Sequence, residues 1–114
     1  MAHYLVTAMP RADRLSDLAA RLGRDEFLQM QHFGRALTRS LRAARRRDDG
    51  SAVWEEEDYC RQPLAEERAA VLDHYFDRLQ VEPVSRDTGW RRIEDLPRLF
   101  PKFAETDRWR IRER

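Results

Sequence analysis

Ala36-Leu37-Thr38-Arg39-Ser40-Leu41-Arg42-Ala43-Ala44-Arg45-Arg46-Arg47 is the stretch on which the fold turns. Leu37, Leu41 and Ala44 continue a stripe begun by Met30 and Phe33 at helical spacing, which reads as one long helix. Beyond it, Asp48-Asp49-Gly50 is a tight-turn signal, and Ser51 to Cys60 carries Val53, Trp54 and Tyr59 without a helical stripe. That pattern reads as the second strand of a hairpin and requires a strand before the turn. The hairpin is the preferred reading, and the long helix stays open beside it.

Upstream, His3 to Met9 is a short, mostly apolar run stopped by Pro10 and is expected to be a strand. Leu15, Leu18, Ala19 and Leu22 then recur at i, i+3, i+4 and i+7, with Gly23 as a helix stop. A second helical stretch starts near Arg24, with Phe27, Met30 and Phe33 on one stripe, and Gly34 weakens it. Downstream, Pro63 suits a helix start, and Glu66 and Glu67 fall in a first turn where the helix dipole favours acids. Ala65, Ala69, Leu72, Phe76 and Leu79 form the apolar face of that helix, which runs to Leu79. Gln80 to Val84 is expected to be a last strand, with Pro83 marking an edge or an end. The remaining residues hold Trp90, Ile93, Leu96, Leu99, Phe100, Phe103 and Trp109, too apolar for a free linker.

The chain has 114 residues, 41% of them hydrophobic, which fits one α+β domain over 1–114, with a core at 3–84 and a C-terminal extension at 85–114. Twenty-two basic residues, all arginine but Lys102, face 21 acids, for a net charge of +1. That balance argues against affinity drawn from a phosphate backbone, and the short run Arg42, Arg45, Arg46 and Arg47 is offset by the acids that follow, so nucleic acid is not the expected partner. A lone Cys60 excludes a disulfide framework and fits a reducing compartment. No apolar run approaches the ~18 residues of a membrane span, and the start lacks the regions of a secretory signal, so no membrane association and a cytoplasmic location are expected.

The element order β-α-β-β-α-β gives a ferredoxin-like split βαβ fold, an antiparallel sheet with two helices on one face and an aromatic tail. The other face would be bare, and a bare apolar face of a few hundred Å2 marks an interface, so a homodimer through the sheet is expected.

That order, the start Tyr4-Leu5-Val6-Thr7-Ala8, the Asp49-Gly50 hairpin and the Pro63-Leu64-Ala65 helix start resemble the dimeric α+β barrel superfamily, which includes YCII-related domains and small cofactor-free monooxygenases. The resemblance covers residues 3 to 84 and is one of architecture more than motif. Val53-Trp54-Glu55-Glu56-Glu57-Asp58-Tyr59-Cys60 with Glu67-Arg68-Ala69-Ala70-Val71-Leu72-Asp73 is also similar to a group of bacterial proteins of unassigned activity. The resemblance implies a dimeric barrel and carries no catalytic residue onto this chain.

The acidic run Glu55-Glu56-Glu57-Asp58 is the most unusual feature, because four carboxylates on one strand repel and glutamate is depleted from strands. One compensation is cross-strand pairing with Arg39, Arg42, Arg45, Arg46 and Arg47, which would fix the register. The functional reading uses strand alternation, by which Trp54, Glu56, Asp58 and Cys60 share a face. In a cavity between two sheets, burial raises the carboxyl pKa values of Glu56 and Asp58 and suits them to acid-base catalysis. Trp54 would line that cleft with Leu5 and Thr7 of the first strand.

His3, His32 and His74 show no i, i+4 pair, Cys60 lacks a Cys-x-x-Cys partner, and no phosphate loop or nucleophile elbow appears, so no metal and no cofactor are expected. Trp90, Phe100, Phe103 and Trp109 among arginines have the composition of an interface, against the alternative of folding back on their own domain. The reading is a homodimeric α+β barrel that binds a small molecule in a carboxylate-lined cleft, either as a binder or as a cofactor-free enzyme. The alternative is a non-catalytic protein-interaction or regulatory module that uses the sheet face and the aromatic tail.

Overall fold

The computed structural model describes residues 2–58 and 60–107. Four strands form one antiparallel sheet: β1 (Ala2–Pro10), β2 (Arg45–Arg46), β3 (Ala52–Asp58) and β4 (Phe76–Val84), in the order β2-β3-β1-β4. The helices are α1 (Leu15–Gly23), α2 (Gly34–Arg42), α3 (residues 65–75) and α4 (Thr88–Ile93). In α3, α-helical turns at Ala65–Glu67 and Asp73–Tyr75 flank a π-helical segment at Arg68–Leu72.

β1 is central and buries side chains on both faces, which its run Leu5-Val6 reflects. Its register pairs Tyr4 with Glu56, Leu5 with Glu55 and Val6 with Trp54 on one side, and Leu5 with Glu82 and Val6 with Val81 on the other. The pairing with β4 shifts between Thr7 and Met9. Arg78, at φ 51°, lies where β4 takes up that bulge.

The decisive stretch contains both of its readings in part. Residues 34–42 are helical, with Leu37 and Leu41 fully buried, and the turn through Asp48–Gly50 closes a hairpin. The strand before that turn is only Arg45–Arg46, opposite Val53 and Ala52. It is short because the chain beyond it is helix and because residues 97–99 run along its outer edge: Arg46 N–H donates to Pro97, and Leu99 N–H donates to the Ala44 carbonyl. The stripe from Phe27 to Phe33 is not a helix. Residues 24–33 are turns, and α2 starts at Gly34, where a Cβ would lie 2.2 Å from the Phe27 carbonyl oxygen.

The helix expected to reach Leu79 ends at Tyr75, and Phe76 and Leu79 belong to β4. Of the expected apolar face Leu72 and Phe76 are buried but Ala65 and Ala69 are exposed, and Val71 and Tyr75, which were not assigned to it, are fully buried.

α1, α2 and α3 cover one face of the sheet, where Leu18, Leu22, Leu37, Leu41, Val71 and Tyr75 meet Val6, Trp54 and Phe76. The second face is not bare. α4 lies on its β1–β3 half, where Ile93 packs on Leu5 and Val53, with Trp90 and Leu96 beside them. On β4, Gln80 and Glu82 leave the rest of that face polar and exposed. Phe100 and Phe103 turn into the main core instead of standing out as an interface. Trp109 lies outside the described residues. Among the described residues no helix is long and apolar enough to cross a membrane.

Candidate functional site

Side chains alternate along β3, and its four acids accordingly meet two environments. Glu55 faces α4. Its Oε2 accepts the Asp87 N–H at 2.8 Å and its Oε1 accepts those of Gly89 at 2.8 Å and Trp90 at 3.2 Å, with His3 Nδ1 at 3.5 Å. Glu55 therefore anchors the first turn of α4. The half-buried Glu57 points to the same side, where it borders, with His3, Arg39 and Trp90, a recess of about 110 Å3.

Glu56 and Asp58 face the helices. Trp54 Nε1 donates to Glu56 Oε1 at 3.0 Å, and Glu56 Oε2 is buried with no hydrogen-bond partner. Glu56 is 0% exposed, and burial, reinforced by the charge of Glu67, holds its carboxyl well above the usual glutamate value. Asp58 is 2% exposed and ties down the following loop: Oδ1 accepts the Cys60 N–H at 3.0 Å and Oδ2 accepts the Leu64 N–H at 2.9 Å. Leu64 sits there at φ 58°, a left-handed conformation that costs a bulky side chain roughly 1–2 kcal/mol. The carboxylate of Asp58 thus fixes the entry to α3.

One turn into α3, Glu67 is 1% exposed and accepts the Cys60 thiol at 3.7 Å. Burial raises its pKa; a backbone N–H opposes this, and the charge of Asp58 adds to it. The backbone at Glu66 lowers the thiol pKa of Cys60, but burial and the neighbouring charge of Glu67 outweigh that and leave it above its ordinary value. One donor atom each of Asp58, Cys60 and Glu67 lie within 4.8 Å of one another. Cys60 also lines an open cleft of about 670 Å3 with His32, Arg61, Gln62, Ala65 and Glu66. The thiol therefore borders both the solvent-facing cleft and the buried carboxylates.

The structure brings together Trp54, Glu56 and Asp58 of the expected site, on the helix-covered face rather than between two sheets. Leu5 and Thr7 do not join them. The register sets these two opposite Glu55 and Val53, on the face carrying α4. Arg45 and Arg46 stand opposite Val53 and Ala52 rather than opposite the acids. Backbone N–H groups serve Glu55 and Asp58, and an indole serves Glu56. Glu67 and His32 were missed as members of this region. Glu67 had a signal, since Glu67, Val71 and Tyr75 are spaced i, i+4, i+8 and all three are buried. His32 had none: it stands in a turn at φ 71°, next to a loop far away in sequence.

No family model, no curated protein and no solved structure matches this chain.

Proposed function

We propose that this is a ferredoxin-like domain that binds a small polar ligand in the cleft at the end of β3, with the buried acids Glu56, Asp58 and Glu67 beneath Cys60 of its lining as an acidic floor. The order β2-β3-β1-β4, with helical crossovers between β1 and β2 and between β3 and β4, supports the ferredoxin-like reading. One observation carries the ligand reading. Three carboxylates are at most 2% exposed, and among the described residues none of them forms an ion pair, in a chain with 21 arginines. Buried acids without a counter-charge are costly to a fold, and they are retained where something is held against them. The raised carboxyls of Glu56 and Glu67 suit them to donate a proton to a ligand, which is the form a cofactor-free reaction would take.

The floor favours ligands that bear an amine or several hydroxyls, with Gln62 and Arg61 at the mouth. The cleft is complete within one chain, so binding in this reading does not depend on a homodimer. A barrel-type dimer would need the sheet face on which α4 lies. The interaction-module alternative loses its anchors in Phe100 and Phe103, which are spent on the core.

The test is a thermal-shift screen of small amines and polyols on the wild type and Glu56→Gln, which keeps the carbonyl that accepts the Trp54 indole. The expected result is a ligand that raises the melting temperature of the wild type and does so less in the variant. A shift of equal size in both, or no shift with any ligand, would overturn the reading.

A further inference from the structure

We propose that Asp58, Cys60 and Glu67 form a binding site for a divalent transition-metal ion of the zinc class. The inference deepens the ligand reading by giving the acidic floor a cation, and it rests on the same end of β3 being a binding site.

The donor set is the first argument. One thiolate and two carboxylates are ligands that zinc and cobalt accept, and the sulfur disfavours magnesium and calcium. Geometry is the second. Donors on one tetrahedral ion, at metal distances of about 2.1 Å for oxygen and 2.3 Å for sulfur, stand roughly 3.4–3.6 Å apart. Cys60 Sγ and Glu67 Oε1 are already 3.7 Å apart, and no pair among the three residues exceeds 4.8 Å. An ion therefore needs a contraction of about 1.4 Å at most, which side-chain torsions can absorb.

The third argument is independent of the triad. Glu56 stands two residues before Asp58 on the same strand face, is 0% exposed, and presents an Oε2 with no partner. A carboxylate oxygen buried without a donor, on the same strand face as Asp58, is an acceptor that a metal-bound water would satisfy. Asp58 can ligate without releasing its loop, since each of its oxygens accepts one backbone N–H and keeps a second lone pair. Cys60 opens onto the cleft, which gives an ion its way in.

Ion binding displaces the thiol proton of Cys60, and the thiolate with the carboxylates of Asp58 and Glu67 then faces the two positive charges of the ion. The Cys60–Glu67 hydrogen bond gives way to two metal–ligand bonds.

The experiment is a titration of chelator-treated full-length protein with Co2+, followed by the near-ultraviolet sulfur-to-cobalt charge-transfer band, with Zn2+ as competitor. Wild type is expected to develop the band, to saturate at one equivalent and to lose the band on adding zinc. Cys60→Ser removes the band, and Glu67→Gln weakens binding at least tenfold while circular dichroism shows the fold retained. No band in the wild type, or a band unchanged by Glu67→Gln, would overturn the inference. The amine and polyol screen, run with chelator present, separates the two readings. A ligand shift without a cobalt band leaves the cleft reading and removes the metal, whereas a cobalt band without any ligand shift does the reverse.

Discussion

Glu55 Oε1 lies 2.8 Å from the backbone nitrogen of Gly89, and a Cβ built on Gly89 would lie 2.8 Å from the same oxygen. A carboxylate buried to 4% exposure thus replaces the solvent that would otherwise serve the first N–H groups of α4. Glu55→Gln puts an amide N–H2 where backbone donors converge and is expected to cost about 1–3 kcal/mol. Gly89→Ala pushes the carboxylate out of place and is expected to cost a similar amount, about 1–3 kcal/mol. Because both changes break one contact, the double variant should cost clearly less than the two losses added together. Urea unfolding of the four proteins checks this, and full additivity would refute a shared role.

Tyr75 links two elements through its hydroxyl, which donates to Asp17 Oδ2 at 2.6 Å and accepts from the Arg21 guanidinium at 2.7 Å. The hydroxyl lowers the Asp17 pKa from its ordinary 3.8, burial opposes it, and the charges of Arg14 and Arg21 add to the lowering. A depressed acid stabilises the fold above its unfolded pKa, and that stabilisation is lost as pH falls through the folded value. Tyr75→Phe is therefore expected to be less stable than wild type at pH 7, with a gap that narrows once pH drops below about 4. Thermal unfolding across a pH series measures the gap. A gap that stays constant from neutral to strongly acidic pH would assign the loss to packing alone.

Phe100 and Phe103 stack edge to face with centroids 5.9 Å apart, and the Arg42 guanidinium lies 5.2 Å over the Phe103 ring. Both rings are 5% exposed in the main core. Phe100→Ala is expected to cost on the order of 3 kcal/mol. A stop after Leu99 should lower the melting temperature further, with the native mass per chain count unchanged by light scattering. A change of oligomeric state on truncation would return these rings to an interface.

The parts of the fold legible in the sequence are those set by local period. The helix at Leu15–Gly23 follows from its apolar spacing and its stop, and the side-chain alternation of Trp54, Glu56 and Asp58 follows from the strand alone. Where β4 begins was not legible, because Phe76 and Leu79 fit a helical stripe as well as a strand, and only pairing with Pro10 and Met9 of β1 decides. The covering of the second sheet face was hidden for the same reason: Glu55 reads as an acid on a strand until residues 87–90 arrive on top of it. In the candidate site, Glu56 and Asp58 were visible as an odd acidic pair. Glu67 was masked because the helix was phased on Ala65 and Ala69, whereas the π-helical segment and the buried Val71 and Tyr75 place the acid inward.

The central position of β1 has a consequence for how the chain reaches this state. Leu5 pairs with Glu55 on one side and Glu82 on the other, 50 and 77 residues later in the chain. The strand that organises the sheet is thus made long before either neighbour, and its two-sided apolar row, Leu5 and Val6, has to wait for them. Such distant pairings close large loops before they are rewarded, which slows folding relative to a helical bundle of this size. During synthesis the first ten residues are consequently the segment most in need of shielding, and they stop being so only when β4 has left the ribosome.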